Sequence, residues 1–309
     1  MPSIMLSSMH PRVFVAMCRM FNGIGWKVYV PSNSEPNPFG YGNTSIPPDS
    51  PHNSITLEEF LDIKPDVVLC SCWEQLYGAL NLAKAIDRKL VVRAGNNGVP
   101  YNKTHSNYLI SNDLHTFRIS NIPNRLFFYL PIDYNFWTKQ EWCSDSRIVS
   151  SFIHHYERFW KVSWSLYTKI RELNGDLAFV NYGVAPGFTY SPALFEVNDI
   201  KRVLGVSRCM LHVKELEGYG WSMLESISSG IPVIAVRDFI KGKTCEHFMK
   251  DGVTCRLISR NADEFSEVFN DVDTLRSISE SGRNFLQNLI NRDEQYSRIK
   301  HFFEEIVLC

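Results

Sequence analysis

The sequence predicts an α/β protein built from two doubly wound domains in tandem. Three observations carry this. A strand, a helix and a second strand fit within the first 30 residues, which is a βαβ unit and implies a parallel sheet. Short, wholly apolar runs alternate with amphipathic stretches on both sides of a polar, aperiodic segment at 138–146. The chain is 309 residues long, and at roughly 150 residues per domain that is about two domains.

Each element follows from its own pattern. Residues 3–6 read as the first strand. Residues 14–22 read as a helix with Phe14, Met17, Cys18 and Phe21 on one face. Gly23 and Gly25 end it, and 26–30 form the next strand. Residues 31–54, rich in proline and serine and without periodicity, read as a loop, either a surface insertion or a substrate-side flap. Thr56-Leu57-Glu58-Glu59 is a capping box that opens a short helix. Residues 66–72 form an apolar strand suited to the middle of a parallel sheet. A helix over 75–86 and a strand over 90–93 follow, then the loop Gly95-Asn96-Asn97-Gly98-Val99-Pro100, with 127–130 as the last strand of this half. The second series starts at 147–153. Its strands recur near 177–182, 209–213, 232–236 and 253–258, and helices over 263–307 close the chain.

Composition narrows the function. Apolar residues are 44% and charged residues 21%, close to globular averages, which excludes disorder and collagen. No stretch approaches the roughly 18 uninterrupted apolar residues of a bilayer span. The first ten residues lack the basic and apolar regions of a signal peptide. The eight cysteines contain no Cys-x-x-Cys pair, so they are expected to be mostly buried, reduced thiols in a cytoplasm. A net charge of -1 argues against a broadly basic nucleic-acid surface.

The stretch 211–235 carries the chemistry. It is a strand, a tight glycine turn, a helix, then Gly-x-Pro into another strand. Gly218 and Gly220 let backbone approach a ligand closely. Free N–H groups at the start of the following helix can hold phosphate oxygens. Glu217 before the turn and Glu225 inside the helix can accept hydrogen bonds from sugar hydroxyls. A nucleotide sugar offers both a diphosphate and hydroxyls.

Glu217-Gly218-Tyr219-Gly220, Glu225 and Gly230-Ile231-Pro232-Val233 together resemble the donor-site motif of retaining glycosyltransferases of the GT-B fold, family 4 in particular. Leu130-Pro131-Ile132-Asp133 with Phe136, and Lys250-Asp251-Gly252-Val253-Thr254, resemble two further landmarks of that family, in the same order. The resemblance covers most of 126–260; the first 125 residues match in pattern only. It implies two Rossmann-like domains facing an interdomain cleft: an acceptor-side domain over 1–140, a nucleotide-sugar domain over 147–290, and a closing helix over 291–309 able to pack back on the first domain.

The resemblance also implies roles. Glu217 would contact the donor sugar, and Glu225 the nucleotide ribose. Arg158 and Lys161 would neutralise the diphosphate, although Val162 stands where the family has glycine. Gly218, Tyr219 and Gly220 would form the donor turn, and Tyr182 and Gly183 would line the base pocket. The donor would be a UDP-, GDP- or ADP-type sugar, with no metal and no further cofactor, and the donor phosphate would take the acceptor proton on the same face. Asp271-Val272-Asp273 reads as solvent-facing rather than as a metal site. A phosphorylase is not expected, because the chain is far too short.

The acceptor side is weakly marked. The loop after the fourth strand has no histidine, leaving Arg93, Asn96 and Asn97, with His10 and His105 as further candidates. The acceptor would be a glycan, a lipid-linked sugar, or a hydroxylated base in DNA as in viral DNA glycosyltransferases, in which case the location is a host cytoplasm and Arg93, Lys103, Arg118 and Arg125 would form a local patch. The rival readings are a nucleotide-sugar epimerase, which shares the fold, and a non-catalytic nucleotide-sugar-binding module.

Overall fold

A computed structural model of the chain describes residues 1–7, 9, 11–32, 51–71, 75–95, 106–153, 161–183 and 197–308. The chain divides into two compact units. Unit one comprises Met1–Pro131 and Ile290–Cys309, and unit two Ile132–Leu289.

Unit one is built on a seven-stranded sheet. Its strands are β1 (Ser3–Leu6), β2 (Lys27–Pro31), β3 (Asn53–Ile55), β4 (Val67–Cys70), β5 (Lys89–Ala94), β6 (Tyr108–Ser111) and β7 (Asn124–Phe127). The order is β3-β2-β1-β4-β5-β6-β7 and every pairing is parallel. The crossover helices are α1 (Pro11–Gly23), α2 (Leu57–Ile63), α3 (Leu76–Ala85) and α4 (Leu114–Ile119). Parallel strands are covered on both faces, which is why β4 is wholly buried and wholly apolar apart from its thiol. The capping box at Thr56 is present: Thr56 Oγ1 accepts the Glu59 N–H at 3.2 Å, and Glu59 Oε2 accepts the Thr56 N–H at 2.8 Å.

Three features of unit one depart from the sequence reading. The end of the supposed loop 31–54 is a strand, since Asn53–Ile55 pairs with β2 along the sheet edge; residues 33–50 lie outside the described residues. β6 and α4 were not expected. The last strand also sits three residues earlier than 127–130. Phe128, Tyr129 and Leu130 are apolar because they are buried, but the Tyr129 N–H goes to Gln295 Oε1 at 3.0 Å instead of to a strand.

Unit one is completed by the last helix, α11 (Arg292–Leu308). Phe303 is fully buried and meets Phe21 and Trp26 edge-on, with ring centroids 4.9 and 5.5 Å apart. Arg298 Nη2 donates to the Phe127 carbonyl at 2.7 Å.

Unit two holds a five-stranded parallel sheet, β12-β11-β10-β8-β9. The strands are β8 (Ile148–Ser151), β9 (Ala178–Asn181), β10 (Cys209–His212), β11 (Val233–Val236) and β12 (Cys255–Ile258). Its helices are α5 (Lys161–Leu173), α6 (Val197–Val206), α7 (Trp221–Ser228), α8 (Arg237–Ile240), α9 (Glu264–Asn270) and α10 (Val272–Leu289). All five strands fall where the apolar runs predict them. Asp271, read as solvent-facing, caps α10 by accepting the Thr274 N–H at 3.1 Å, and Arg256 lies 3.3 Å from its carboxylate. Cys18, Cys70, Cys209, Cys245 and Cys255 are buried free thiols and Cys143 is an exposed one. Burial pushes Cys18 and Cys209 up to about 12. No described helix is long and apolar enough to cross a membrane.

Candidate active site

The strand order of unit two reverses between β8 and β10. In a doubly wound sheet the crevice at such a reversal, outside the carboxyl ends of the strands, is where ligands bind. The sequence-predicted donor residues of unit two that are described belong to segments that leave these strand ends. Lys161 begins α5, the crossover after β8. Tyr182 and Gly183 follow β9. Glu217 to Gly220 follow β10 and lead into α7, which carries Glu225.

The turn before α7 is dictated by glycine. Gly220 is the N-cap residue, at φ 81 and ψ 46, in the left-handed region. A Cβ there would stand 2.5 Å from Met223 Cε and 3.3 Å from Phe248 Cζ. Gly220 has no side chain to cap the helix, and the first turn of α7 has no acidic residue. The N–H groups of that turn and the positive end of the helix dipole are therefore open to an anion. The first turn of α5 also lacks an acidic residue and starts with the exposed Lys161. A cation at the positive end of a dipole is unfavourable by itself; an anionic ligand reverses that sign. The buried Ser163, in the same first turn, accepts the Glu215 N–H on Oγ at 2.9 Å and ties α5 to the loop after β10.

Glu217 is the charged centre of this end of the sheet. Its side chain is only 8% exposed. Oε1 accepts the Gly218 N–H at 2.9 Å, and Oε2 lies 3.0 Å from His212 Nε2 and 3.4 Å from Lys214 Nζ. Burial alone would push its carboxyl up. The contact with His212, the charge of Lys214 and the Gly218 N–H outweigh burial and hold it well below the ordinary carboxylate range. Lys243 donates from Nζ to the Glu215 carbonyl at 2.7 Å. Burial holds its ammonium below the usual lysine value, against the opposing pull of Cys245 and Glu217. This end of the sheet thus sets one ionised, nearly buried carboxylate among two lysines and a histidine. Such a carboxylate accepts hydrogen bonds strongly, and the surrounding donors favour a ligand that carries negative charge.

Other predicted residues separate by position. Glu225 is buried at 2% exposure inside α7. The Tyr219 ring is buried at 1% and packs edge-on against Trp221 and Phe248, so this residue offers a ligand its backbone, not its ring. Tyr182 stacks on Phe152 at 5.5 Å, and Asn181 fixes the neighbouring backbone by exchanging two hydrogen bonds with Ile153. Arg158, His10, Asn96, Asn97, Lys103 and His105 lie outside the described residues. Arg93 belongs to unit one and is 4% exposed in β5. It donates to Ser71 Oγ at 2.8 Å and to Asn112 Oδ1. A buried arginine cannot join Arg118 and Arg125 in an exposed basic patch, which corrects that expectation.

His212, Lys214, Lys243 and Ser163 were not singled out from sequence. His212 and Lys214 stand inside the quoted motif but match no position that it marks. Lys243 follows β11, and only the packing of that segment against the β10 loop brings it near Glu217.

No protein-family model matches the chain, and no curated protein sequence matches it. Solved structures do. Anabaena Alr3699/HepE, in complex with UDP and glucose, superposes with a TM-score of 0.71 over 98% of this chain and 99% of that one, at 11% identity. Sucrose-phosphate synthase from Thermosynechococcus elongatus gives 0.68 over 99% of each chain, also at 11% identity. A UDP-N-acetylglucosamine 2-epimerase gives 0.53 over 95% of this chain and 96% of that one, at 14% identity. The fold is therefore GT-B, two Rossmann-like parallel-sheet domains, at full coverage.

Proposed function

We propose that this chain is a retaining glycosyltransferase that moves a sugar from a nucleoside-diphosphate sugar to an acceptor hydroxyl without a metal ion. The observation that carries the reading is Glu217: a nearly buried carboxylate held ionised at the switch point of unit two, beside helix starts open to an anion. In this reading the diphosphate sits against the first turn of α7 and the Lys161 ammonium. Glu217 accepts hydrogen bonds from the donor-sugar hydroxyls, and Glu225 meets the ribose. As the glycosidic bond breaks, negative charge grows on the leaving diphosphate. Fixed N–H groups and lysine charge stabilise that change without reorganising. The leaving phosphate oxygen takes the acceptor proton on the same face, so no protein base is required. The complex of HepE with UDP and glucose supports a uridine donor. A glycan or lipid-linked acceptor is favoured over DNA, because Arg93 is buried and the net charge is -1.

The test is a thermal-shift screen with UDP, GDP, ADP and CDP and their common sugars, with and without EDTA. A ligand at 100 times its Kd stabilises by about 2.7 kcal/mol. The expected result is a shift with one nucleotide family, unchanged by EDTA, followed by sugar transfer to an added glycan acceptor. Conversion of the donor sugar to its epimer without an acceptor would replace this reading with an epimerase, whose fold is shared. Binding without any turnover would replace it with a binding module. Loss of the shift in EDTA would remove the metal-free mechanism.

A further inference from the structure

We propose that His212 is a positioning residue: it holds the Glu217 carboxylate in the orientation that receives the donor sugar. The inference rests on the donor reading given above. His212 ends β10, directly before the loop that carries Glu217, and pairs in register with Ala235 of β11. It is 2% exposed, so its imidazole is out of water. Neither ring nitrogen has an aligned hydrogen-bond partner among the described residues, yet Nε2 stands 3.0 Å from Glu217 Oε2. A buried imidazole with no aligned partner is costly. The Glu217 carboxylate stands within hydrogen-bonding distance of it. The strand fixes the backbone of His212, whereas Glu217 rides on a loop beside two glycines. The partner held by the sheet therefore orients the one on the loop.

Lys214 and the Gly218 N–H share the task, but differently. Lys214 is 24% exposed on a flexible stem, 3.4 Å from the same oxygen. The Gly218 N–H is adjacent in the chain and moves with Glu217. Of these three contacts, that with His212 is the one made from a strand of the sheet.

The experiment compares His212→Gln, which keeps an N–H donor near the Nε2 position, with His212→Phe, which keeps a ring and loses the donor. The probes are UDP and UDP-glucose, titrated by calorimetry. Loss of a hydrogen bond that orients a charged acceptor is expected to weaken UDP-glucose binding by about tenfold or more in His212→Phe. UDP, which lacks the sugar, should bind as before, and His212→Gln should recover most of the UDP-glucose affinity. Recovery by Phe and not by Gln would show a packing role and overturn the proposal. Equal loss in both variants, or a parallel loss of UDP binding, would overturn it as well.

A second readout does not depend on any donor. The Glu217 side-chain carboxyl is titrated by carbon-13 NMR in wild type and in His212→Phe. Lys214 on the same loop, and Lys243 and Cys245 on the segment after β11, are the other titratable groups facing it. They are unchanged in the variant, so a midpoint that rises toward 4.5 reports the lost His212 contact. An unmoved midpoint would overturn the proposal. If wild type binds neither UDP nor UDP-glucose, the uridine-donor reading fails, while the NMR comparison still decides whether His212 holds Glu217.

Discussion

Replacing Gly220 with alanine separates two costs that the structure puts on one residue. Gly220 sits at φ 81, and a left-handed backbone costs an L-residue with a Cβ roughly 1–2 kcal/mol. The new Cβ would also lie 2.5 Å from Met223 Cε, 3.3 Å from Phe248 Cζ and 3.4 Å from Cys245 Cβ. The first of these is the free end of a methionine, which can turn away for about 0.5–1.5 kcal/mol of rotamer strain. The total is about 1.5–3.5 kcal/mol. Gly252 is the internal control: its φ is 75, but nothing lies within 4 Å of its would-be Cβ. Gly252→Ala should therefore cost the backbone term alone, about 1–2 kcal/mol. Urea denaturation, followed by Trp221 fluorescence in an otherwise tryptophan-free background that is first shown to fold, would report unit two. Gly220→Ala should lower the midpoint more than Gly252→Ala, with equal slopes. If the two variants lose the same stability, the crowding argument fails. If neither loses any, the left-handed turn before α7 is not what the backbone adopts.

Two further outcomes follow from the site and the core. The Glu217 carboxyl is held below its ordinary value of 4.5 in the folded protein. It therefore contributes stability that is complete above that value and is lost as pH falls toward the folded one. Glu217→Gln should flatten the acid limb of the stability profile below about pH 5, and it should lower kcat/KM for the donor by about 10–100-fold, the loss expected when a charged hydrogen-bond acceptor becomes neutral. An acid limb as steep as in wild type would show that another group carries it. In unit one, Phe303→Ala removes a fully buried ring from its contacts with Phe21 and Trp26 and should cost about 3–5 kcal/mol. Loss of amide-exchange protection in α1 and β2 would accompany it, and full protection there would mean that α11 is not part of that core.

The parts of the protein that were legible in the sequence are those set by local rules. Short apolar-rich runs place the five strands of unit two, because strands inside a parallel sheet are covered on both faces; β11, Val-Ile-Ala-Val, is wholly apolar and wholly buried, while β8 ends in two serines. The Thr56 capping box and the glycine turn at 218–220 are local too, since each needs only neighbours within a few residues. The misses have the opposite character. Asn53–Ile55 contains two polar residues in three and has no strand signal; only the β2 edge makes it a strand. Phe128 to Leu130 look like strand because they are apolar, but the Tyr129 N–H is taken by Gln295 of α11, 166 residues later in the chain.

The candidate site divides the same way. Sequence alone determined that Glu217, Gly220 and Glu225 belong to one strand-turn-helix unit, because that unit is continuous and its geometry follows from residue type. Only the tertiary structure decided the state of Glu217. His212 had to be buried at the end of a central strand, 3.0 Å from the carboxylate, before Glu217 had the partner that, with Lys214 and the Gly218 N–H, keeps it ionised. It also decided that Arg93 lies inside unit one and that Tyr219 turns its ring into the core. Burial and long-range charge are properties of the packed chain: they depend on which segments exclude water from a side chain, and no local pattern of residues encodes that.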